Sequence, residues 1–478
     1  MISLREVNMM VRIDKKIIYF GVLSVIIILS VLSGLSLRQI VSLAVFASLI
    51  AGTLLYWNLR LPFGLIGVSM LLMLGLLDIS TLIAFAHIDI IIFLIAMMTI
   101  IGYLEEAHFF EYITIRIIRI VGTNANRLVA ILMALSAVFS ALVDEVTAIL
   151  FMAAMTWEIA RLYNTDPLNL ILGITFTTII GGSATVVGDP VAIIVAFEGN
   201  LTMTDFLRWA TPITILATIY IIWIMLKLFK ENIQDLQEGM KEVKLEEVSE
   251  LRYQIEPNQL RKLWFIFLGT VGGIVIHKQI ADLLGYIYNA YISPETILLA
   301  IPLIFSGIAL LFEKDHAHDI IVHKVDWWTL TFFMAFFASV GTLKLVGITN
   351  LIAGYIFNLA GGNDNIIFLL VTIIVGLLSP VMDNVLAVAT FSPVVHSIAE
   401  VGINIFPLWW GLLFGGVFMA LLTPVGATAS IVVMGLLERR KIGTIAMRQW
   451  VKVGVITAVP SFIMAVAILY LRFYIIGL

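Results

Sequence analysis

Long apolar runs separated by short polar stretches dominate the chain. A bilayer-spanning helix needs about 20 mostly apolar residues, and eleven runs approach that requirement: 17–35, 40–57, 62–77, 88–104, 168–197, 206–229, 263–276, 296–312, 326–343, 405–437 and 453–472. Two of these, 168–197 and 405–437, are too long for one straight crossing. They are interrupted by Gly181-Gly182 through Gly188-Asp189-Pro190 and by Thr423-Pro424-Val425-Gly426, so both read as broken helices. Two further apolar pairs, 127–143 with 145–163 and 366–382 with 385–400, are each split by a carboxylate. They read as crossings or as re-entrant hairpins. The pattern predicts an all-α polytopic membrane protein with about 11 transmembrane helices.

Composition removes the competing classes. Of the 478 residues, 61% are hydrophobic and 13% charged, against roughly 25% charged in an average soluble protein. No water-soluble core holds that much apolar surface. The 32 acidic and 28 basic residues leave a net charge of −4, which lacks the basic footprint of a nucleic-acid partner. Without cysteine there is no disulfide framework, thiolate metal site or cysteine nucleophile. No P-loop is present, and no nucleophile–base pair or metal triad falls at depth, so the reading is a transporter rather than an enzyme, with no cofactor.

Basic residues orient the spans, because cytoplasmic loops collect positive charge. They cluster at Arg5, Arg12, Lys15 and Lys16, at Arg116, Arg119 and Arg127, in the linker 230–262, at Lys314 and Lys324, and at Arg439-Arg440-Lys441. The loop 78–87 carries none. One topology keeps every cluster inside: a cytoplasmic N-terminus, a first hairpin entering from the cytoplasm and a second entering from outside. The run 17–35 is longer than the 7–15 apolar residues of a typical signal peptide and is kept as a span. A plasma-membrane location is expected.

The two halves repeat at a nearly constant offset. Gly102 and Gly341, Ser140 and Ser379, Asp144 and Asp383, and Val146 and Val385 are each 239 apart, while Gly188 and Gly426 are 238 apart. Corresponding loops have opposite basic content, which predicts repeats inverted about an axis in the membrane plane, with a site near mid-bilayer. The expected organisation is an N-terminal segment and first span (1–37), repeat 1 (38–229), a charged cytoplasmic linker (230–262) and repeat 2 (263–478).

The chemistry-bearing residues fall at the tips and breaks. Hairpin one reads Ser140-Ala-Leu-Val-Asp144-Glu145-Val-Thr147, and hairpin two reads Ser379-Pro-Val-Met-Asp383-Asn384-Val. Each aspartate has two readings, a helix cap or an ion ligand; a cap alone is achieved more cheaply by serine than by an ionised group at depth. Asp189-Pro190 looks like the N-cap and first residue of a half-helix. Carbonyls and hydroxyls at such breaks suit sodium or lithium, whereas half-helix amides suit an anion. No Lys or Arg lies between Arg127 and Arg161, between Arg161 and Arg208, or between Lys344 and Arg439, the stretches that hold Asp144, Glu145, Asp189 and Asp383. The expected site is therefore acidic. Protons and a metal cation would compete for its oxygens.

These four motifs, in order across about residues 38–475, resemble the arsenite permease and NhaD-type sodium/proton antiporter family, which sits with the P protein in the ion transporter superfamily. The resemblance implies a homodimer, a scaffold and a transport domain in each subunit, re-entrant hairpins and elevator-type movement. Many such relatives carry Asp-Asn at both tips; here Glu145 stands at the first. The expected function is sodium (or lithium)/proton antiport, with the bilayer, a small inorganic ion and the proton as partners. Asp144, Asp189 and Asp383 are expected to hold the alkali cation and to couple protons. Glu145, Thr147, Ser183, Thr185, Asn384, Thr423 and Thr428 complete the expected binding set. The alternative is an anion permease for arsenite, antimonite or a small organic acid.

Overall fold

The computed structural model describes residues 15–110, 112–113, 124–242, 255–439 and 441–477. Arg5, Arg12, Arg116 and Arg119, and the middle of the linker at 243–254, lie outside the described residues. Everything regular among the described residues is helical. Among the described residues, nine helices are long and apolar enough to cross a membrane, or up to eleven if each of two bent pairs is one span.

The chain divides into two compact units, each drawing on both sequence halves. The first comprises Met1–Ile91 and Trp327–Tyr355. Within it, Val45, Val68, Leu71, Leu76, Leu77, Ala335 and Ala338 form a buried apolar cluster. Arg60 is buried there because its Nη2 donates to Thr329 Oγ1 at 2.7 Å and its guanidinium lies 4.4 Å from the Trp57 ring, which replaces its lost water. The helix Lys15–Leu32 behaves differently. Ile17, Phe20, Val25, Ile28, Val31 and Leu32 are all exposed, the signature of a helix solvated by hydrocarbon.

The second unit comprises Ile92–Asp326 and Ile356–Leu478. It holds both hairpins, Ala125–Leu142 with Glu145–Leu162 and Asp364–Met382 with Asn384–Glu400. It also holds both broken helices, Leu168–Gly182 with Pro190–Gly199 and Phe406–Ala420 with Thr428–Arg439. The leading half of each broken helix is buried all round, from Leu170 to Gly182 and from Pro407 to Ala420. Such helices have no polar stripe to show water, which is why hydropathy alone marks them so strongly.

Several expected boundaries shift for identifiable reasons. The run 206–229 is two helices, Met203–Trp209 and Thr211–Leu228, because Pro212 begins a new helix at its first turn. The run 263–276 starts at Pro257 and turns by 70° into His277–Tyr288. The charged segment after 229 forms the amphipathic helix Lys230–Glu242, whose Ile233, Leu236 and Met240 are buried. Short helices at Ile79–Phe85, Ala317–His323 and Ile348–Leu359 have no counterpart among the apolar runs.

Candidate functional site

Both tip aspartates cap the second arm of their hairpin. Asp144 accepts from the amides of Val146 (3.1 Å) and Thr147 (3.0 Å), and Asp383 accepts from Val385 N (3.0 Å). Asp189 accepts from Val191 N at 2.6 Å, with Pro190 opening the half-helix as the sequence implies. Three carboxylates thus occupy three helix N-termini, where unpaired amides and the helix dipole favour negative charge. Capping leaves room for a ligand, because each cap leaves lone pairs on the same carboxylate.

The tips and breaks meet inside the second unit. Asn384 Nδ2 donates to Asp189 Oδ2 (3.1 Å), and Thr428 Oγ1 donates to Asp383 Oδ2 (3.0 Å). Asn384 N donates to Gly426 O at 2.8 Å, which ties the second tip to the second break. A repeated lashing holds each break against the hairpin of its own half. Thr185 Oγ1 donates to Ala141 O and Thr423 Oγ1 to Pro380 O, while Val187 N and Val425 N donate back to those hydroxyls at 3.3 and 3.2 Å. The hydrogen-bond pattern repeats at the spacing seen in the sequence.

Glu145 is the unusual member. It is 1% exposed; no amide or hydroxyl among the described residues donates to its oxygens, and its hydrogen-bonding neighbour there is the Asp189 carboxyl group. The charges it faces are Asp189, Asp144 and Asp383. Its counterpart 239 residues on is Asn384, so both second tip positions converge on Asp189, one as an amide donor and one as an acid. The Ser140 Oγ is buried with no hydrogen-bond partner among the described residues, whereas its counterpart Ser379 donates to Gly416 O at 2.5 Å. Buried polar groups in that condition call for an ion, a proton or water. The first tip is the less satisfied of the two.

Asp189, Asp383, Asn384 and Glu145 are buried, while Asp144, Thr147, Thr423 and Thr428 are half-buried, so the cluster has a closed end and a more open one. Ser183 is not part of it: its hydroxyl donates to Ile180 O at 2.7 Å and lies 2.8 Å from Thr214 Oγ1. Thr185 and Thr423 serve the lashing just described, with their lone pairs left over. Asp326, which no motif singled out, faces Asp144. Asp383 has φ +73° and ψ 141°, a region that non-glycine residues occupy only at a cost of about 1–3 kcal/mol and that gathers at functional sites. Glycine would relieve that strain and lose the carboxylate.

Removing the amide at the second tip tests the convergence. Asn384→Ala leaves Asp189 Oδ2 without the Asn384 donor, and a cost of about 1–3 kcal/mol is expected. A lowered melting temperature of the purified protein reports it; an unchanged one would show that the contact carries no weight.

Comparison with known proteins agrees with a membrane transporter. The family model described as CitMHS, citrate transporter, matches residues 53–356 and 297–476. An uncharacterized transporter of Mycobacterium bovis is 28% identical over 390 residues, covering 81% of this chain and 86% of that protein. The human P protein is 24% identical over 413 residues, covering 73% of this chain; the match spans 49% of that longer protein. The solved YdaH transporter of Alcanivorax borkumensis, described as having an unusual topology, superposes with a TM-score of 0.54 at 15% identity, covering 83% of this chain and 90% of that one. With all-helical architecture, up to eleven candidate spans and a family match over most of its length, this chain belongs to the CitMHS citrate transporter family.

Proposed function

We propose that the protein is a cation-coupled secondary transporter that exchanges sodium or lithium for protons at the cluster of Asp144, Glu145, Asp189 and Asp383. The observation that carries this reading is the buried carboxyl group of Glu145, which faces three aspartates, hydrogen-bonds with the Asp189 carboxyl and receives nothing from an amide or hydroxyl among the described residues. An acid in that setting is stable at depth with a cation or a proton bound, and the two compete for the same oxygens. Among the described residues, no group of three or more His, Asp or Glu side chains is disposed as a metal cage. An alkali cation would instead combine carboxylate oxygen with the hydroxyls of Thr147, Thr423 and Thr428 and with carbonyls at the breaks.

The site lies wholly within the second compact unit. That supports an elevator mechanism, in which one body carries the site across the bilayer. We also propose an inverted repeat, a homodimer, a plasma-membrane location and a cytoplasmic N-terminus, from the sequence repeat, the family resemblance and the placement of basic residues. A second reading, carriage of a small organic anion, is favoured by the family's description as citrate transporters and by the half-helix amides at the breaks, which suit an oxyanion.

Proteoliposomes separate the two. Sodium added outside vesicles holding an imposed pH gradient is expected to collapse that gradient. Citrate or arsenite flux with no response to sodium or lithium would reverse the assignment.

A further inference from the structure

The half-helix Pro190–Gly199 and the return arm Asn384–Glu400 are tied together at both ends. At one end stands the Asp189–Asn384 contact of the site. Nine residues further along the half-helix, about 13 Å at 1.5 Å per residue, Glu198 Oε2 accepts from Ser392 Oγ at 3.0 Å and lies 2.9 Å from His396 Nε2. The imidazole also packs edge-on against the Trp409 ring, with centroids 5.2 Å apart. His396 and Glu198 side chains are 32% and 16% exposed, so the contact is partly shielded yet reachable by a small ion.

Helix electrostatics argue against a purely structural pair. Glu198 sits in the last turn of its half-helix, next to the carbonyls of the negative dipole end, where a carboxylate is disfavoured and a cation favoured. His396 sits in the final turns of its own helix, where a positive charge is favoured by the dipole. Both dipoles therefore place a positive charge between these two groups. The other titratable groups on the packed elements are few. Asp364 opens the first hairpin arm and Glu400 closes the second, while Phe406–Ala420 carries none. The helix Ile88–Glu106, which meets Phe197 through Phe93, has its acids at Asp89, Glu105 and Glu106. In the segment after Gly199, Asp205 is held by Thr202 N and Oγ1 at 2.8 and 2.6 Å.

We propose that Glu198 and His396, with Ser392, form a second proton-binding site that locks the return arm of the second hairpin to the half-helix carrying Asp189. The bound proton makes the contact an imidazolium–carboxylate pair. Its loss leaves Glu198 facing the negative helix end, and the two helices part more readily. The pair so links pH at its face of the membrane to the mobility of the elements that carry Asp189 and Asn384. It rests on the exchange reading only for its role in transport, not for its existence.

Hydrogen–deuterium exchange of the full chain in lipid nanodiscs tests it, after correction for intrinsic exchange rates. Residues 384–400 are expected to be roughly tenfold more protected near about pH 6 than near about pH 8, the scale of one charge-assisted hydrogen bond. Glu198→Gln is expected to erase the difference, and His396→Lys, a fixed cation, to hold the high protection at both pH values. Equal protection in the unmodified protein, or a pH response that survives Glu198→Gln, would overturn the proposal. Should liposomes show no sodium–proton exchange while protection keeps its pH response, the pair stands and only the exchange reading falls.

Discussion

Replacing Asp383 by asparagine is expected to reduce sodium-coupled proton movement in proteoliposomes to background while expression and elution volume stay near those of the unmodified protein. The change is one of charge rather than shape. An asparagine Oδ1 can still accept from Val385 N, as Asp383 does at 3.0 Å, so the cap on Asn384–Glu400 survives. Asparagine also has nearly the size and shape of aspartate, so the backbone at φ +73° and ψ 141° is no more strained in the variant. What disappears is the negative charge that would hold a cation or proton beside Thr428. Wild-type coupling in this variant would remove Asp383 from the transport chemistry, and loss of folded protein would instead make it structural.

The second large effect is steric. A Cβ added at Gly426 would lie 2.2 Å from Ala420 O, and one at Gly188 would lie 2.6 Å from Gly182 O and 2.7 Å from Ser140 O. In each break the chain passes that close to backbone, which cannot move aside as a flexible side chain would. Gly426→Val is therefore expected to destabilise the fold by on the order of 3 kcal/mol. It would also displace the Gly426 carbonyl that accepts from Asn384 N. Thermal unfolding followed by size-exclusion chromatography reads the result. Gly435→Ala is the matched control, since nothing lies within 4 Å of the added carbon; it should melt at or slightly above the unmodified temperature. A Gly426→Val protein melting with the control would show that the break does not need its close approach.

Much of the architecture was legible in the order of residues, because lipid imposes one simple rule: a single segment satisfies its own backbone in hydrocarbon only as a helix. Apolar length therefore located the long helices, a carboxylate in an apolar pair located each hairpin tip, and Gly-Asp-Pro or Thr-Pro-Val-Gly located each break. Where the rule is silent, the reading failed. Lys230–Glu242 is polar by composition and is recognised as a packed helix only by its buried face, and the bend at Ile276 follows no apolar signal.

The candidate site divides the same way. Asp144, Asp189 and Asp383 were visible as acids within apolar runs, where an ionised side chain is costly even with a helix N-terminus beside it. Their environment was not. That Asn384 reaches Asp189 while Glu145, at the equivalent tip, receives no amide or hydroxyl donor among the described residues depends on contacts between segments far apart in the chain. Ser183 lies beside acidic motifs in sequence yet turns to Thr214. Glu198 and His396 are 198 residues apart and belong to no motif; they became a pair only when two helices were laid side by side. The sequence alone determined which residues are costly to bury, because that cost belongs to each side chain by itself. Only the tertiary structure decided which of those costs are offset and which are not, because hydrogen bonds and charge pairs depend on distances that packing sets.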